Sequence, residues 1–179
     1  MSEQHQTLFY KTKESLKEKI CEFFEEGIKE GTRCVYITSE NDAIGIYEKL
    51  KERNERTKVV KLFSYYTVPD PVGDSEYFDK KVSKIRETLF DGKFQGRIAF
   101  NVLGDMTRFS VDVISKIETI EKHLEKVKGM HLKMMCSFQI GEGDKSRKAM
   151  LDMALKTHDG AMFEKDDGSY SQITLGKTQ

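Results

Sequence analysis

Four chemically different side chains follow an apolar run that extends from Ile98 to Leu103. They are a carboxylate, a thioether, a guanidinium and an aromatic ring, from Asp105, Met106, Arg108 and Phe109. The apolar run predicts a buried strand, and ligands of open α/β sheets bind at the carboxyl ends of the strands. We therefore predict a small-molecule site at this strand end, using Asp105, Met106 and Arg108. Asp105 also suits the capping position of a following helix, and one residue can serve both purposes.

Three further side chains with metal-binding or nucleophilic chemistry are His5, Cys136 and His158, which are far apart in the sequence. Both histidines lie near the ends of predicted elements, where they could converge with Cys136 from another strand. Imidazole and thiolate groups bind zinc, but sequence distance cannot test such a site, and we predict no metal. No residue pattern marks Cys136 as an activated nucleophile. A buried core thiol is the expectation.

A nucleotide site of the phosphate-loop type is not expected. The motif G-x-x-x-x-G-K-[ST] does not occur, and the nearest string, Gly-Glu-Gly-Asp-Lys-Ser at 141–146, has the wrong spacing and two acids. It is better explained as a turn in which Asp144 caps a helix. Asn101 lies where a magnesium-binding acid would follow a strand, and an amide is the poorer ligand. We expect neither catalysis nor a cofactor.

Apolar runs of strand length alternate with helical patterns along the chain. The predicted strands are at 6–10, 34–37, 59–65, 98–103 and 132–138. A predicted β-hairpin with an Asp-Gly turn follows at 161–175. This order predicts one α/β domain over residues 1–179, a three-layer sandwich with a mainly parallel sheet and a C-terminal β-hairpin.

Residue types also predict where the first helix begins and ends. Thr12 is predicted to cap the first helix, and Gly31 to end it in the left-handed conformation. The helix after the 98–103 strand has an apolar face that includes Ile117 and Leu124. Its acid-rich stretch, Glu118–Lys128, is predicted to be a charged outer face.

Composition narrows the classes of function. The chain has 179 residues, and its 30 Lys and Arg balance 30 Asp and Glu. A net charge of zero predicts no direct binding of nucleic acid. No apolar stretch is long enough to span a membrane, and the N-terminus does not resemble a signal peptide. The three widely spaced cysteines suggest reduced thiols, so we expect a cytoplasmic protein.

Four short islands, in a consistent order along the chain, resemble the MEDS domain, the sensory domain of DcmR-type regulators. They are His5-x-x-Leu-Phe-Tyr10, Gly27–Ile37, Gly104-Asp-Met106, and Met135-Cys-Ser-Phe138 followed by Thr157-His158. The chain departs from the family pattern in having Asp105 for Glu, Phe138 for Tyr, and Arg108-Phe109 where a Trp is often found. The family resembles a RecA/KaiC-like core without the phosphate loop.

The resemblance implies a non-catalytic module for ligand sensing and signal transduction, with simple hydrocarbon derivatives as ligands. Its implied ligand site comprises His5, Asp105, Met106, Arg108, Cys136 and His158. Family members are joined to histidine kinases or DNA-binding domains. A chain of this length would act through a separate partner, such as a histidine kinase or transcription regulator, or as a homo-oligomer. The alternatives are a degenerate KaiC-like nucleotide-binding protein or ATPase, and an interaction module with no small ligand.

Overall fold

The computed structural model describes residues 4–89, 93–127, 131–141 and 147–175. Its strands are β1 (His5–Tyr10), β2 (Cys34–Thr38), β3 (Phe63–Thr67), β4 (Gly96–Asp105), β5 (Leu132–Gln139), β6 (Gly160–Glu164) and β7 (Tyr170–Thr174). Its α-helices are α1 (Lys13–Glu30), α2 (Glu40–Arg53), α3 (Arg56–Leu62), α4 (Ser75–Leu89), α5 (Val111–Val127) and α6 (Arg147–Thr157). A 3₁₀ turn, Met106–Arg108, lies between β4 and α5.

The strands form a single seven-stranded sheet in the order β3-β2-β4-β5-β1-β6-β7. Every neighbouring pair is parallel except β6 and β7, which form the antiparallel C-terminal hairpin. The predicted fold class, a mainly parallel α/β sandwich that ends in a hairpin, is confirmed. Parallel strands are buried on both faces, and this accounts for the nearly continuous apolar character of β2 and β4.

Helices cover both faces of the sheet, and each face has its own apolar core. Helices α1, α2 and α3 pack on one face, around buried residues such as Phe24, Tyr36 and Leu50. Helices α4, α5 and α6 cover the other face, around residues such as Phe100 and Ile117. Among the described helices, none combines the length and apolar character that a membrane-spanning segment requires.

The two predicted boundaries of α1 are present. The Thr12 hydroxyl accepts a hydrogen bond from the backbone N–H of Ser15. Gly31 ends the helix with a φ of 73°, in the left-handed region that glycine adopts without a Cβ clash. These boundaries depend on neighbours close in sequence, which explains why the pattern predicts them.

The predicted strand at 59–65 is wrong in its first half. Residues up to Leu62 form α3, and the strand begins at Phe63. Val59 is fully buried beneath this short helix, whereas Val60 is 58% exposed. A short run rich in valine fits both a strand and a helix, and tertiary packing decides between them. The predicted helix cap at Asp144 lies outside the described residues.

Candidate functional site

Four polar side chains meet under helix α5, deep in the face of the sheet that α4, α5 and α6 cover. His5 begins β1, Cys136 lies in the adjacent strand β5, Glu121 is on α5, and His158 follows α6. All four are buried, with exposed fractions of 0 or 1%. One ligand atom from each lies within 4.8 Å of the others. We call these four residues the buried cluster.

Strand register places the two strand residues of the buried cluster. The parallel pairing of β1 and β5 sets Thr7 beside Cys136. His5 is two residues before Thr7, so its side chain points to the same face of the sheet. The imidazole of His5 and the thiol of Cys136 therefore converge, with 3.5 Å between Nε2 and Sγ.

Glu121 and His158 reach the same point from the helices that cover this face of the sheet. Glu121 is four residues after Ile117 and three before Leu124, both of which are buried, so it shares their inward face. The backbone N–H of His158 bonds to the carbonyl of Ala154, which continues the last turn of α6. Glu121 Oε2 lies 3.2 Å from Nε2 of His5 and 3.2 Å from Nε2 of His158.

The outward nitrogens of both imidazoles are held by hydrogen-bond acceptors. Nδ1 of His158 lies 2.9 Å from the carbonyl oxygen of Ala154. Nδ1 of His5 lies 3.3 Å from a carboxylate oxygen of Glu125, one turn along α5 from Glu121. Carbonyl and carboxylate oxygens only accept, so each Nδ1 carries a proton. In the neutral imidazole, each Nε2 then presents a lone pair to the buried cluster.

Burial and mutual contact shift the ionisation of the buried cluster. Burial by itself raises the pKa of Glu121, but the adjacent His158 and His5 outweigh it and hold the pKa below its usual range. Burial lowers the pKa of His158, against the opposing effect of Glu121. Burial, reinforced by Glu121, raises the pKa of the Cys136 thiol well above its usual value. Near neutral pH the metal-free protein therefore combines an ionised carboxylate with a protonated thiol.

Several polar atoms of the buried cluster lack hydrogen bonds. Within the described parts of the chain, both carboxylate oxygens of Glu121 and Nε2 of His158 are buried without a hydrogen-bond partner. The 3.2 Å contacts to Glu121 are close but not aligned as hydrogen bonds. Buried polar groups are almost always bonded in native proteins. The buried cluster is therefore a place where the protein's own groups leave binding capacity unused.

The six residues predicted for the ligand site fall into two groups. His5, Cys136 and His158 belong to the buried cluster. Asp105, Met106 and Arg108 lie at the carboxyl end of β4, where Asp105 pairs with Gln139 rather than with the middle of β5. His5 pairs with Met134, so His5 and Asp105 are separated by five residues along β5, which is about 16 Å, and Cys136 lies about 10 Å from the level of Asp105.

The β4 group has little binding capacity left. The Asp105 carboxylate accepts hydrogen bonds from the backbone N–H and hydroxyl of Thr107 and from the N–H of Gly141. Burial alone would raise its pKa, but these bonds lower it below the usual value. Met106 is fully buried in the apolar core, and Arg108 is exposed. Asp105 caps the 3₁₀ turn, as its residue type suggests.

The connection between β1 and α1, where a phosphate loop would lie, is only two residues long. Lys11 and Thr12 are the whole of it. Their backbone N–H groups both donate to the carboxylate of Glu164, on the neighbouring strand β6, and the Thr12 hydroxyl does the same. A phosphate loop uses such N–H groups to bind phosphate. Here a carboxylate of the protein itself occupies them.

Asn101 is also bonded within the protein. Its side-chain oxygen accepts from the hydroxyls of Tyr10 and Ser137, and its amide group donates to the hydroxyl of Thr38. These four residues lie on four adjacent strands, so the network ties the middle of the sheet together. Burial raises the pKa of Tyr10 above its usual value, which keeps the phenol protonated as a donor.

Sequence reasoning missed Glu121. The acid-rich stretch Glu118–Lys128 was predicted to be a charged outer face, but Glu121 is fully buried. The signal was present, because Ile117, Glu121 and Leu124 follow the same four-three spacing as the apolar face of α5. An acid on an apolar face needs a buried partner, and here the partners are two histidines distant in sequence.

A parallel sheet of this order, covered by helices on both faces, defines a RecA-like α/β domain. The structure resembles the crystal structure of the RadB recombinase, with a TM-score of 0.61, 9% identity, and coverage of 96% of this chain and 87% of that chain. It also resembles the structure of an ATP synthase subunit, NeqB, from Nanoarcheaum equitans, with a TM-score of 0.53 and 10% identity. That likeness covers 92% of this chain and 46% of NeqB. At such low identity these likenesses concern the fold alone.

The chain belongs to the MEDS family, described as the MEthanogen/methylotroph, DcmR Sensory domain, whose family model matches residues 4–159. No curated protein has a sequence that matches this chain. The matched segment includes all four residues of the buried cluster. Membership in this family indicates a role in sensing or signalling.

Proposed function

We propose that this domain is a non-catalytic sensor that binds a small effector and passes the signal on through helix α5. The observation that carries the proposal is the buried cluster itself. It connects β1, β5, α5 and the end of α6 at one point. An effector that changes the contacts of Glu121 changes how α5 sits on the sheet.

Two features support sensing rather than nucleotide chemistry. The N–H groups of the β1–α1 connection are bonded to Glu164, so phosphate would have to displace an internal carboxylate. The Cys136 thiol, the most buried candidate nucleophile near a histidine, is held in its protonated form. Only the thiolate is strongly nucleophilic.

An apolar void beneath α5 supports an organic effector of small size. It measures about 10 Å³ and lies between α4, α5 and the sheet. Its walls are the apolar side chains of Ile37, Val82, Ile85, Phe100, Ile120 and Leu124. A void of this size holds about one water molecule, so a larger compound would enter only if the helices above it moved outward. A simple hydrocarbon derivative that binds there would therefore favour a state in which α5 is displaced.

The output would leave from the exposed face of α5. That face carries charged residues such as Glu118 and Lys122, which form an ion pair at 2.7 Å. A separate signalling protein, such as a histidine kinase or a transcription regulator, would recognise it, or a second copy of this chain would. The free cysteines at 21, 34 and 136 favour action in the reducing cytoplasm.

Hydrogen–deuterium exchange with a panel of one- and two-carbon alcohols, amines and halides tests this function. We expect at least one probe to change exchange in α5, and ATP with magnesium to change nothing. The Ile120→Phe variant fills the void and should abolish the response, while Ile44→Phe, at a site 44% exposed on α2, should retain it. A magnesium-dependent response to ATP would instead identify a nucleotide-binding protein. No response to any probe would contradict the proposed function.

A further inference from the structure

We propose that His5, Glu121, Cys136 and His158 bind one zinc ion. The proposal names a ligand for the buried cluster and so deepens the proposed function, which rests on the same residues. It departs from the sequence-based expectation of no metal.

Three of the six distances between the ligand atoms are close to those of a tetrahedral zinc site. Zinc bonds to nitrogen, oxygen and sulfur of about 2.0–2.3 Å place ligand atoms about 3.3–3.6 Å apart. In the buried cluster, Glu121 Oε2 lies 3.2 Å from each imidazole Nε2, and Cys136 Sγ lies 3.5 Å from Nε2 of His5. The remaining pairs lie within 4.8 Å of one another, so an ion would draw some of the ligand atoms together by about 1 Å.

The hydrogen bonds around the cluster orient both imidazoles for a metal. Metal-binding histidines usually donate their other N–H to a carboxylate or a backbone carbonyl. His5 has Glu125 in this position and His158 has the Ala154 carbonyl. Both Nε2 lone pairs then face the oxygen of Glu121, which also has lone pairs. A cation among them would accept a lone pair from each of these three atoms and from the Cys136 thiolate.

Charge balance also selects a divalent ion. Binding removes the proton from Cys136, and the thiolate and the Glu121 carboxylate together neutralise the two positive charges of zinc. The neutral complex suits a site in which no ligand is more than 1% exposed. Magnesium and calcium prefer oxygen ligands, whereas a thiolate and two imidazoles favour zinc.

The arrangement is that of a structural or regulatory ion rather than a catalytic one. Four protein ligands complete a tetrahedral shell, and a catalytic zinc keeps one position for water. Zinc would fasten α5 and the end of α6 to β1 and β5. Its presence would set the position of α5, the helix through which the proposed sensor acts.

Metal content and cobalt substitution test the site. We expect one zinc per purified chain, and release of one proton per zinc when the ion is added back to chelated protein. Cobalt in its place should give a tetrahedral visible spectrum and a thiolate-to-cobalt band in the near ultraviolet. A wild-type chain that stays folded but binds neither ion in stoichiometric amount would overturn the proposal, and the polar cluster would then be a proton-shared network.

Matched variants locate the site. Cys136→Ser should remove the thiolate band, whereas Cys21→Ser, at a buried cysteine under the opposite face of the sheet, should leave it unchanged. Glu125→Gln keeps all four ligands and should weaken zinc about 10–100-fold. A thiolate band that persists in Cys136→Ser, or is lost in Cys21→Ser, would refute the assignment.

The experiments distinguish failure of the zinc site from failure of the sensor. If the chain binds no zinc but α5 still responds to an organic probe, the zinc site is wrong and the sensor stands. If zinc binds in one equivalent through Cys136 and α5 responds to no effector, the zinc site stands and the sensor is wrong.

Discussion

The carboxyl edge of the sheet and the buried cluster under α5 both contain polar side chains, but they differ in how fully these side chains are hydrogen-bonded. At the edge, Asp105, Glu164 and Asn101 are each bonded to other groups of the protein. In the buried cluster, Glu121 and His158 keep buried atoms without a hydrogen-bond partner among the described residues. A bonded polar network stabilises the protein, while an incompletely bonded one leaves atoms that a water, an ion or another ligand can bind.

The comparison also separates fold from function. In RecA-like domains with a phosphate loop, the edge is the natural ligand site. Here Glu164 supplies a negative charge to the backbone N–H groups of Lys11 and Thr12, as a phosphate would. At this edge the acceptor for those N–H groups is a carboxylate of the protein itself. The unbonded polar atoms of Glu121 and His158 lie instead under α5, on one face of the sheet.

Removal of zinc should have the largest effect on the protein. At free zinc of about 1,000 times its Kd, binding stabilises the folded state by about 4 kcal/mol. We expect a chelator to lower the free energy of unfolding in urea by this order, and zinc to restore it. If neither chelator nor zinc changed the unfolding of the wild-type protein, the buried cluster would not differ from the edge in binding a ligand.

The Glu164→Ala substitution should have the next largest effect. It removes the hydrogen bonds that the exposed Lys11 and Thr12 donate to the Glu164 carboxylate, and hydrogen bonds to a charged group contribute about 1–3 kcal/mol net of their replacement by water. Urea denaturation should show a loss in this range, with zinc content unchanged. Glu48→Ala, at an exposed position on α2, is the control and should change stability by less than about 0.5 kcal/mol. If the variant lost zinc as well, the two regions would not be independent.

Acid should destabilise the metal-free protein through the buried cluster. The pKa of His158 is lowered by burial, and that of Glu121 is held low by His158 and His5. The unfolded chain therefore binds more protons, and stability falls as pH drops below about 6.5 for the histidine and about 4.3 for the carboxylate. Urea unfolding from about pH 8 to about pH 3 measures this, because it covers the histidine and the onset of the loss from the carboxylate.

Two variants assign that pH dependence. His158→Gln should reduce the loss of stability that begins near pH 6.5, about the ordinary pKa of histidine. His131→Ala, at an exposed position, should leave the profile unchanged. Equal profiles for wild type and His158→Gln would show that the buried cluster does not control acid stability.

The smallest effect is expected for Asp105→Ala. The substitution removes the cap of the 3₁₀ turn and the bond to Gly141, and loss of a cap costs about 1 kcal/mol. Zinc content and the response of α5 to organic probes should not change. Loss of either would return Asp105 to the functional site and merge the two regions.

The sequence predicts most of the architecture because it depends on short-range patterns. The alternation of strands and helices, the Thr12 cap and the Gly31 end all follow from neighbours within a few residues. The strand at 59–65 was placed wrongly because valine-rich runs suit both elements. Packing of Val59 into the core beside α1 and α2 selects the helix.

The candidate site was predicted less well. His5, Cys136 and His158 were chosen for their residue types, and the structure brings them together. Asp105, Met106 and Arg108 were chosen for their place at a strand end, and the structure keeps them apart from the cluster. Glu121 was assigned to an outer face because its neighbours in sequence are charged.

The sequence by itself therefore determined the class of fold, the faces of the helices and the absence of a phosphate-loop motif. Tertiary structure alone decided which polar groups meet. His5 and Cys136 are separated by 131 positions in the chain, yet the pairing of β1 with β5 sets their side chains 3.5 Å apart. Strand order and helix placement fix such distances, and both result from the packing of the whole core rather than from any local pattern.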